Sequence, residues 1–416
     1  MNIFTVAIVA TCDTKGNEAN YLRERVQSYG MRGLILDCGI LRDPPEHMRP
    51  DISKHEVAGA AGYTIAQLIE RGSRGAAVDG MIEGVNAMVS RLYQGGLIHA
   101  LIAIGGAEGA LLARAGMDAL PLFVPKLTLS PVASGSHKFE EIIGYNDAMA
   151  MHTVVDILGL NSISKRLFDN AVGAIVGMLQ AHREEAAARE AVRVGITAAG
   201  TVTPPLVKTV LPTLQEKGFE VYSFHSNGVG GPCMDNLVRE GIFHGILEYS
   251  LSEIVGNLYG GLHKSKADRM EAAVERGIPL LVVPGVSTLL VLSTADAATP
   301  AYQGRKHYYH NREITLVNLN DEECAAVAAA FVEILNRAQP GKAALMFPTL
   351  GLASQDKDGC ALENPSGREA MLRVIRTRLA AHIPLIVLPM HINDDAFAAA
   401  VAEKFLSLQT QAEAPR

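Results

Sequence analysis

Short apolar runs that end in Gly, Ser or Thr loops and then pass into helix-period segments recur along the whole chain. A strand followed by such a loop and a helix does not form a hairpin with its successor. Repeating the unit therefore specifies a mainly parallel sheet with helices on both faces. The run Phe4 to Ala10 leads into the polar loop Thr11 to Glu18, a helical segment through Tyr29 and a second run, Leu34 to Leu36. Ile98 to Ile104 runs into Gly105-Gly106-Ala107-Glu108-Gly109, and Val124 to Leu129 runs into Ser130-Pro131-Val132-Ala133-Ser134-Gly135.

The same grammar restarts at Val192 to Thr197, followed by the loop Ala199 to Pro205, the run Val221 to Phe224 and the loop His225 to Gly231. Gly245 to Glu248 and Pro279 to Gly285 come next, and three further strand-helix units are expected after Glu313, at Ile314 to Val317, Ala344 to Phe347 and Leu385 to Leu388. Gln94 to Leu101 aligns loosely with Glu240 to Leu247, the kind of self-similarity an internal duplication leaves. The expected fold class is α/β: two Rossmann-like three-layer α/β/α domains, residues 1–185 and 186–416. The charged run Arg183 to Glu190 is the expected linker.

Composition narrows the partners. The 416 residues carry a net charge of −7 with 19% charged and 48% apolar residues, which describes a globular chain without a basic tract for nucleic acid. Glycine is abundant at 39 residues while aromatics reach 5% and Trp is absent, a balance that favours tight backbone turns around small polar ligands over base stacking. Five cysteines (Cys12, Cys38, Cys233, Cys324 and Cys360), odd in number and never spaced C-x-x-C, predict neither a disulfide framework nor a Cys zinc site, and fit a cytoplasmic protein. The amino terminus reads as a first strand rather than a signal peptide. The uncharged stretch Gly277 to Ala295 contains two prolines and reads as a buried strand plus loop, not a membrane span.

Ligands of open parallel sheets sit at the carboxyl ends of the strands, where loops supply backbone N–H groups and helix amino termini. Neither G-x-x-x-x-G-K-[ST] nor G-x-G-x-x-G occurs, so a phosphate must be held in another way. Asp13, Thr14 and Lys15 occupy the first such loop, where Lys15 suits a phosphate and Asp13 suits Mg²⁺, or where the same residues simply cap a helix. Gly105, Gly106 and Gly109 permit close backbone approach to a ligand or close helix packing. Ser134 and Gly135, then Asn146 and Asp147, and in the second half Gly230 and Gly231, complete the set of candidate loops. His225, Glu248, His310 and His391 fall at or near expected strand ends and are candidate acid-base groups, although no metal-ligand spacing or hydrolase elbow frames them.

At these loops the chain resembles the Tm-one-like ATP-binding domain family over nearly its whole length. The carrying segments include Asp13-Thr14-Lys15-Gly16, Gly105-Gly106 with Gly109, Pro125-Lys126, Ala133-Ser134-Gly135, Val155-Asp156-Ile157, Gly230-Gly231, Val283-Pro284-Gly285, His310-Asn311 and His391-Ile392-Asn393-Asp394. The resemblance implies two α/β/α subdomains, ATP with Mg²⁺, a homodimer and cytoplasmic residence. On that basis Lys15, Gly105, Gly106, Gly109, Ser134 and Gly135 are expected to cradle phosphates, with Asp13 and Asp147 near the metal. Ala107 and Ala110 stand where the family usually has hydroxyl residues, and Glu108 is an unusual occupant of that turn. Two functions are expected: a nucleotide-binding protein, or alternatively a hydrolase- or lyase-like enzyme acting on a phosphorylated or carboxylated metabolite in the cleft between the domains.

Overall fold

A computed structural model of the chain describes residues 3–134, 142–181 and 191–413. It divides into two compact units, Met1–Ala186 and Ala187–Arg416.

The first unit is a five-stranded sheet: β1 (Thr5–Ala10), β2 (Arg32–Asp37), β3 (Ala100–Ile104), β4 (Lys126–Ser130) and β5 (Met149–His152). The spatial order is β2-β1-β3-β4-β5 and every pairing is parallel. β1 is buried along all six residues, as a central parallel strand covered on both faces must be. Its alternation sorts the layers. Ala7 and Val9 pack with Met81, Val85 and Val89 of α4 (Arg74–Gln94) and Leu112 of α5 (Ala107–Asp118). Val6 and Ile8 pack on the other face with Leu22 and Val26 of α1 (Cys12–Ser28) and with Phe168, Val172 and Ile175 of the helix Ser162–Ala181. The helices α2 (Lys54–Ala60) and α3 (Ile65–Ile69) lie between β2 and α4 in the chain, each opened by a reciprocal capping box from Ser53 or Thr64.

The second unit has a six-stranded parallel sheet built from β6 (Val192–Ala198), β7 (Phe219–His225), β8 (Gly245–Glu248), β9 (Leu280–Val282), β13 (Ala343–Pro348) and β14 (Leu385–Leu388), in the order β14-β13-β9-β8-β6-β7. Counted from its own first strand, it repeats the 2-1-3-4-5 order of the first unit and adds one strand. Met234, Val238, Phe331 and Met371 fill one face, while Val210, Phe397, Val401 and Phe405 fill the other.

One expectation needs correction. Ile314–Asn318 is not a strand of the parallel sheet: it is the centre, β12, of a separate antiparallel sheet between β10 (Leu289–Ser293) and β11 (His307–Tyr309). An apolar run fixes burial but not direction. Here the registers Leu290↔Val317 and Tyr308↔Leu316 set the direction through contacts remote in sequence.

Candidate functional site

In the first unit the strand order reverses between β1 and β3, and at that point the two strands send their helices to opposite faces and leave a crevice at their carboxyl ends. A cavity of about 360 Å³ occupies this position. Thr11, Asp13, Thr14 and Lys15 line it from the first loop, Gly106 to Gly109 from the third, and Asp156 from the segment after β5. Ile40, Leu41, Val78 and Leu112 give it an apolar wall.

The local structure explains the placement. Asp37, at the end of β2 and 1% exposed, accepts the Cys12 N–H at 3.0 Å and the Gly39 N–H at 2.8 Å, so one carboxylate fixes both flanking loops. Burial pushes its pKa up, partly offset by those two amides. Lys15 leaves the helical conformation inside α1 (φ −125°, ψ 20°), and its ammonium donates to the Ile157 carbonyl. One turn on, buried Glu18 accepts the Gly159 N–H at 2.8 Å, so α1 holds the segment after β5 at two points. The thiols of Cys12 and Cys38 are pushed up, mainly by burial with Asp37 beside them, which keeps both protonated and unreactive at neutral pH.

The glycines of the third loop have distinct jobs. A Cβ on Gly105 would sit 2.6 Å from the Gly109 Cα, so these two let α5 approach β3. Gly106 is the N-cap of α5, has open space around its Cα and offers no side-chain acceptor to the first turn.

Other expected residues fall elsewhere. Ser134 is exposed on the turn after β4, and Gly135 lies outside the described residues. Asp147 is not beside Asp13. It precedes β5 and binds the Lys126 ammonium and the Phe123 N–H at the amino ends of β4 and β5, while the cavity lies at the carboxyl ends. The two aspartates therefore cannot share a metal ion. Among the described residues no group of three His, Cys, Asp or Glu side chains could hold one.

In the second unit the charged groups beside the carboxyl ends of β7 and β8 are paired within the protein. Arg269, 1% exposed, donates to Glu248 through both terminal nitrogens at 2.8 Å, to Glu253 Oε2 through Nε at 2.6 Å, and to Asp235 at 3.1 and 3.2 Å. Glu253 Oε1 accepts the N–H groups of Gly228 at 2.9 Å and Gly231 at 3.1 Å. The anion at the head of the helix Gly230–Arg239 is thus a carboxylate of the chain, while the Gly230 N–H meets Asn227 Oδ1 at 3.4 Å, which corrects the expectation that Gly230 and Gly231 bind a cofactor. Glu248, with Thr197 as a further donor at 2.7 Å, has no oxygen free for acid-base work. Burial pushes Asp235 up to about 6 despite Arg269.

The three expected histidines do not converge either. His391 is buried, its Nδ1 accepting the Asn393 N–H at 3.0 Å and its Nε2 donating to the Ala353 carbonyl at 3.0 Å, which makes it a loop brace rather than an acid-base group. His310 is exposed just beyond β11 in the antiparallel sheet. His225 is exposed at the end of β7, 6.4 Å ring to ring from His263, which burial and His225 together lower to about 4. Arg269 was invisible in the sequence because a charged run such as Lys264 to Arg269 reads as solvated surface.

Fold and site together define a two-domain α/β protein with a strand-end cavity in its first unit and a buried charge cluster at the strand ends of its second. The chain belongs to the uncharacterised protein family UPF0261: the model of its N-terminal domain matches residues 4–184 and that of its C-terminal domain residues 191–409. A UPF0261 protein of Clostridium tetani is 30% identical over 97% of this chain and 98% of its own length. A UPF0261 protein of Brucella suis is 30% identical over 94% of this chain and 93% of its own. The ToMV resistance protein Tm-1(GCR237) of Solanum lycopersicum is 30% identical over 97% of this chain but 55% of its own length. Among the described residues no helix is long and apolar enough to cross a membrane.

Proposed function

We propose that the first unit binds a small phosphate-bearing ligand, a nucleotide of the ATP·Mg²⁺ kind, in the cavity between the β1 and β3 loops. The observation that supports this most directly is the convergence on one cavity of Lys15, the Thr11 and Thr14 hydroxyls and the Gly106-capped amino end of α5. A helix amino end with a lysine beside it is suited to an anion. The apolar wall of Ile40, Leu41, Val78 and Leu112 suits the sugar and base, and about 360 Å³ lies at the small end of ligand cavities, roughly 300–1,000 Å³.

Asp13 and the two threonines are hard oxygen donors, which fit Mg²⁺. That ion uses one or two carboxylates and completes its shell with water and phosphate oxygens. Mg²⁺ would neutralise phosphate charge beside Asp13 and Glu108, while Lys15 would exchange the Ile157 carbonyl for a phosphate oxygen. Titration calorimetry of the full chain with ATP and Mg²⁺ tests the reading. Lys15→Ala is expected to weaken binding by about 10- to 100-fold, the worth of roughly 1.5–3 kcal/mol for one charge-assisted contact. Heat that is absent with wild type, or unchanged in Lys15→Ala, would refute it. Sedimentation velocity of the same sample tests the homodimer that the family resemblance implies.

A further inference from the structure

We infer that the amino end of the first unit, at the opposite end of the sheet from the nucleotide cavity, holds a second ligand site, one that takes a neutral planar aromatic molecule. A cavity of about 610 Å³ opens there. Phe4, Tyr93 and Phe123 are three of the ten described residues that line it, in a chain where aromatics are 5% of residues and Trp is absent. No Asp, Glu, Lys or Arg is among those ten described residues, so the described lining favours a neutral ligand. Among those ten the polar side chains are those of Tyr93 and His99. The His99 Nδ1 accepts the Thr5 N–H at 3.1 Å, which leaves Nε2–H as the donor of the ring and asks for an acceptor on the ligand. Phe4 meets His99 edge to face at 5.4 Å, forming part of the wall.

The loop bearing Phe123 has a fixed backbone. Phe123 has φ +69° and is 71% exposed, a left-handed backbone that a bulky side chain adopts only at a cost. Asp147 fixes it by accepting the Phe123 N–H at 2.7 Å while paired with the Lys126 ammonium, which also donates to the Pro121 carbonyl at 2.8 Å. The Lys126 side chain is fully buried. A buried ammonium and its aspartate thus fix the backbone that carries Phe123, and the ring stands exposed at the rim of the cavity, where it can meet a flat π-face. The segments Pro125-Lys126 and Asn146-Asp147, which the nucleotide cavity leaves unused, acquire a role in this way.

The test uses the full-length protein and 2-naphthol, whose fluorescence is read without a tryptophan background. Wild type is expected to bind it saturably below 1 mM. Phe123→Gly, which glycine tolerates at φ +69°, is expected to weaken binding about tenfold or more while leaving the melting temperature unchanged or raised. Its ATP·Mg²⁺ titration should match wild type. Three results overturn the inference: no saturable binding to wild type at 1 mM, equal affinity in Phe123→Gly, or loss of a dimer in Phe123→Gly by sedimentation velocity, which would assign this face to a second copy of the chain.

Discussion

The two units solve one geometric problem in opposite ways. Each sheet has the order 2-1-3-4-5 from its own first strand, so each creates a crevice at the carboxyl ends of its first and third strands. In the first unit the crevice stays open, with Lys15 and the amino end of α5 facing it. In the second, Glu248 closes on Arg269, and Glu253 takes the amides of Gly228 and Gly231. Strand order alone therefore locates a possible site, and whether the chain supplies its own counter-charge decides what its loop amides and cations are left to bind.

The contrast can be broken most forcefully at Arg269. Arg269→Met leaves three carboxylates buried without their cation and is expected to destabilise the second unit by roughly 3–5 kcal/mol in urea unfolding, with the ATP·Mg²⁺ titration of the folded protein unchanged. Equal stability in the variant would mean the cluster does not hold that end of the sheet.

A glycine at a strand-end helix start in each unit sharpens the contrast. A Cβ on Gly231 would fall into Glu253 Oε2 and Arg269 Nε, whereas one on Gly106 meets nothing within 4 Å. Gly231→Ala is expected to cost roughly 1–3 kcal/mol. Gly106→Ala should cost less than about 1 kcal/mol, the difference between Gly and Ala as an N-cap. Reversal of this order in thermal melts would contradict the open surroundings of Gly106 and the packed ones of Gly231.

The pH dependence is a subtler probe. Asp235 is raised to about 6 in the folded protein, so the stability it contributes is present below its unfolded value near 3.9 and is lost as the pH rises through about 6. Asp235→Asn should remove roughly 1–3 kcal/mol of this slope between pH 4 and 6. His263, lowered to about 4, acts the other way, its contribution being lost as the pH falls from 6.5 through 4. His263→Gln separates the two in the same urea series. A slope unchanged by either variant would show that neither group titrates as its surroundings suggest.

Much of the fold was legible because parallel strands buried on both faces are written as short continuous apolar runs. Gly245–Glu248 matches its expected run end to end, and β1 and β6 begin or end within one residue of theirs. The antiparallel sheet was not legible, since nothing within Ile314 to Val317 encodes strand direction. At the site, Asp13, Thr14, Lys15 and Gly106 could be read from loop position, but the apolar wall from Val78 and Leu112 could not, because helix-borne residues look like core. Asp147 misled for a physical reason: a polar turn looks the same at either end of a strand. The Arg269 cluster was hidden because its four members, Asp235, Glu248, Glu253 and Arg269, spread over 35 residues, come together only through tertiary packing.

The Glu253 carboxylate at the head of the helix Gly230–Arg239 is, in mass-action terms, a ligand that cannot be diluted. It is covalently tethered, so its occupancy is independent of what the solution contains, and the melting of the second unit should not move with any added anion. A site filled from solution behaves differently: its domain gains RT ln(1 + [L]/Kd), about 2.7 kcal/mol at a hundred times Kd. One half of this chain would then carry a fixed stability and the other a stability that reports the concentration of whatever it binds.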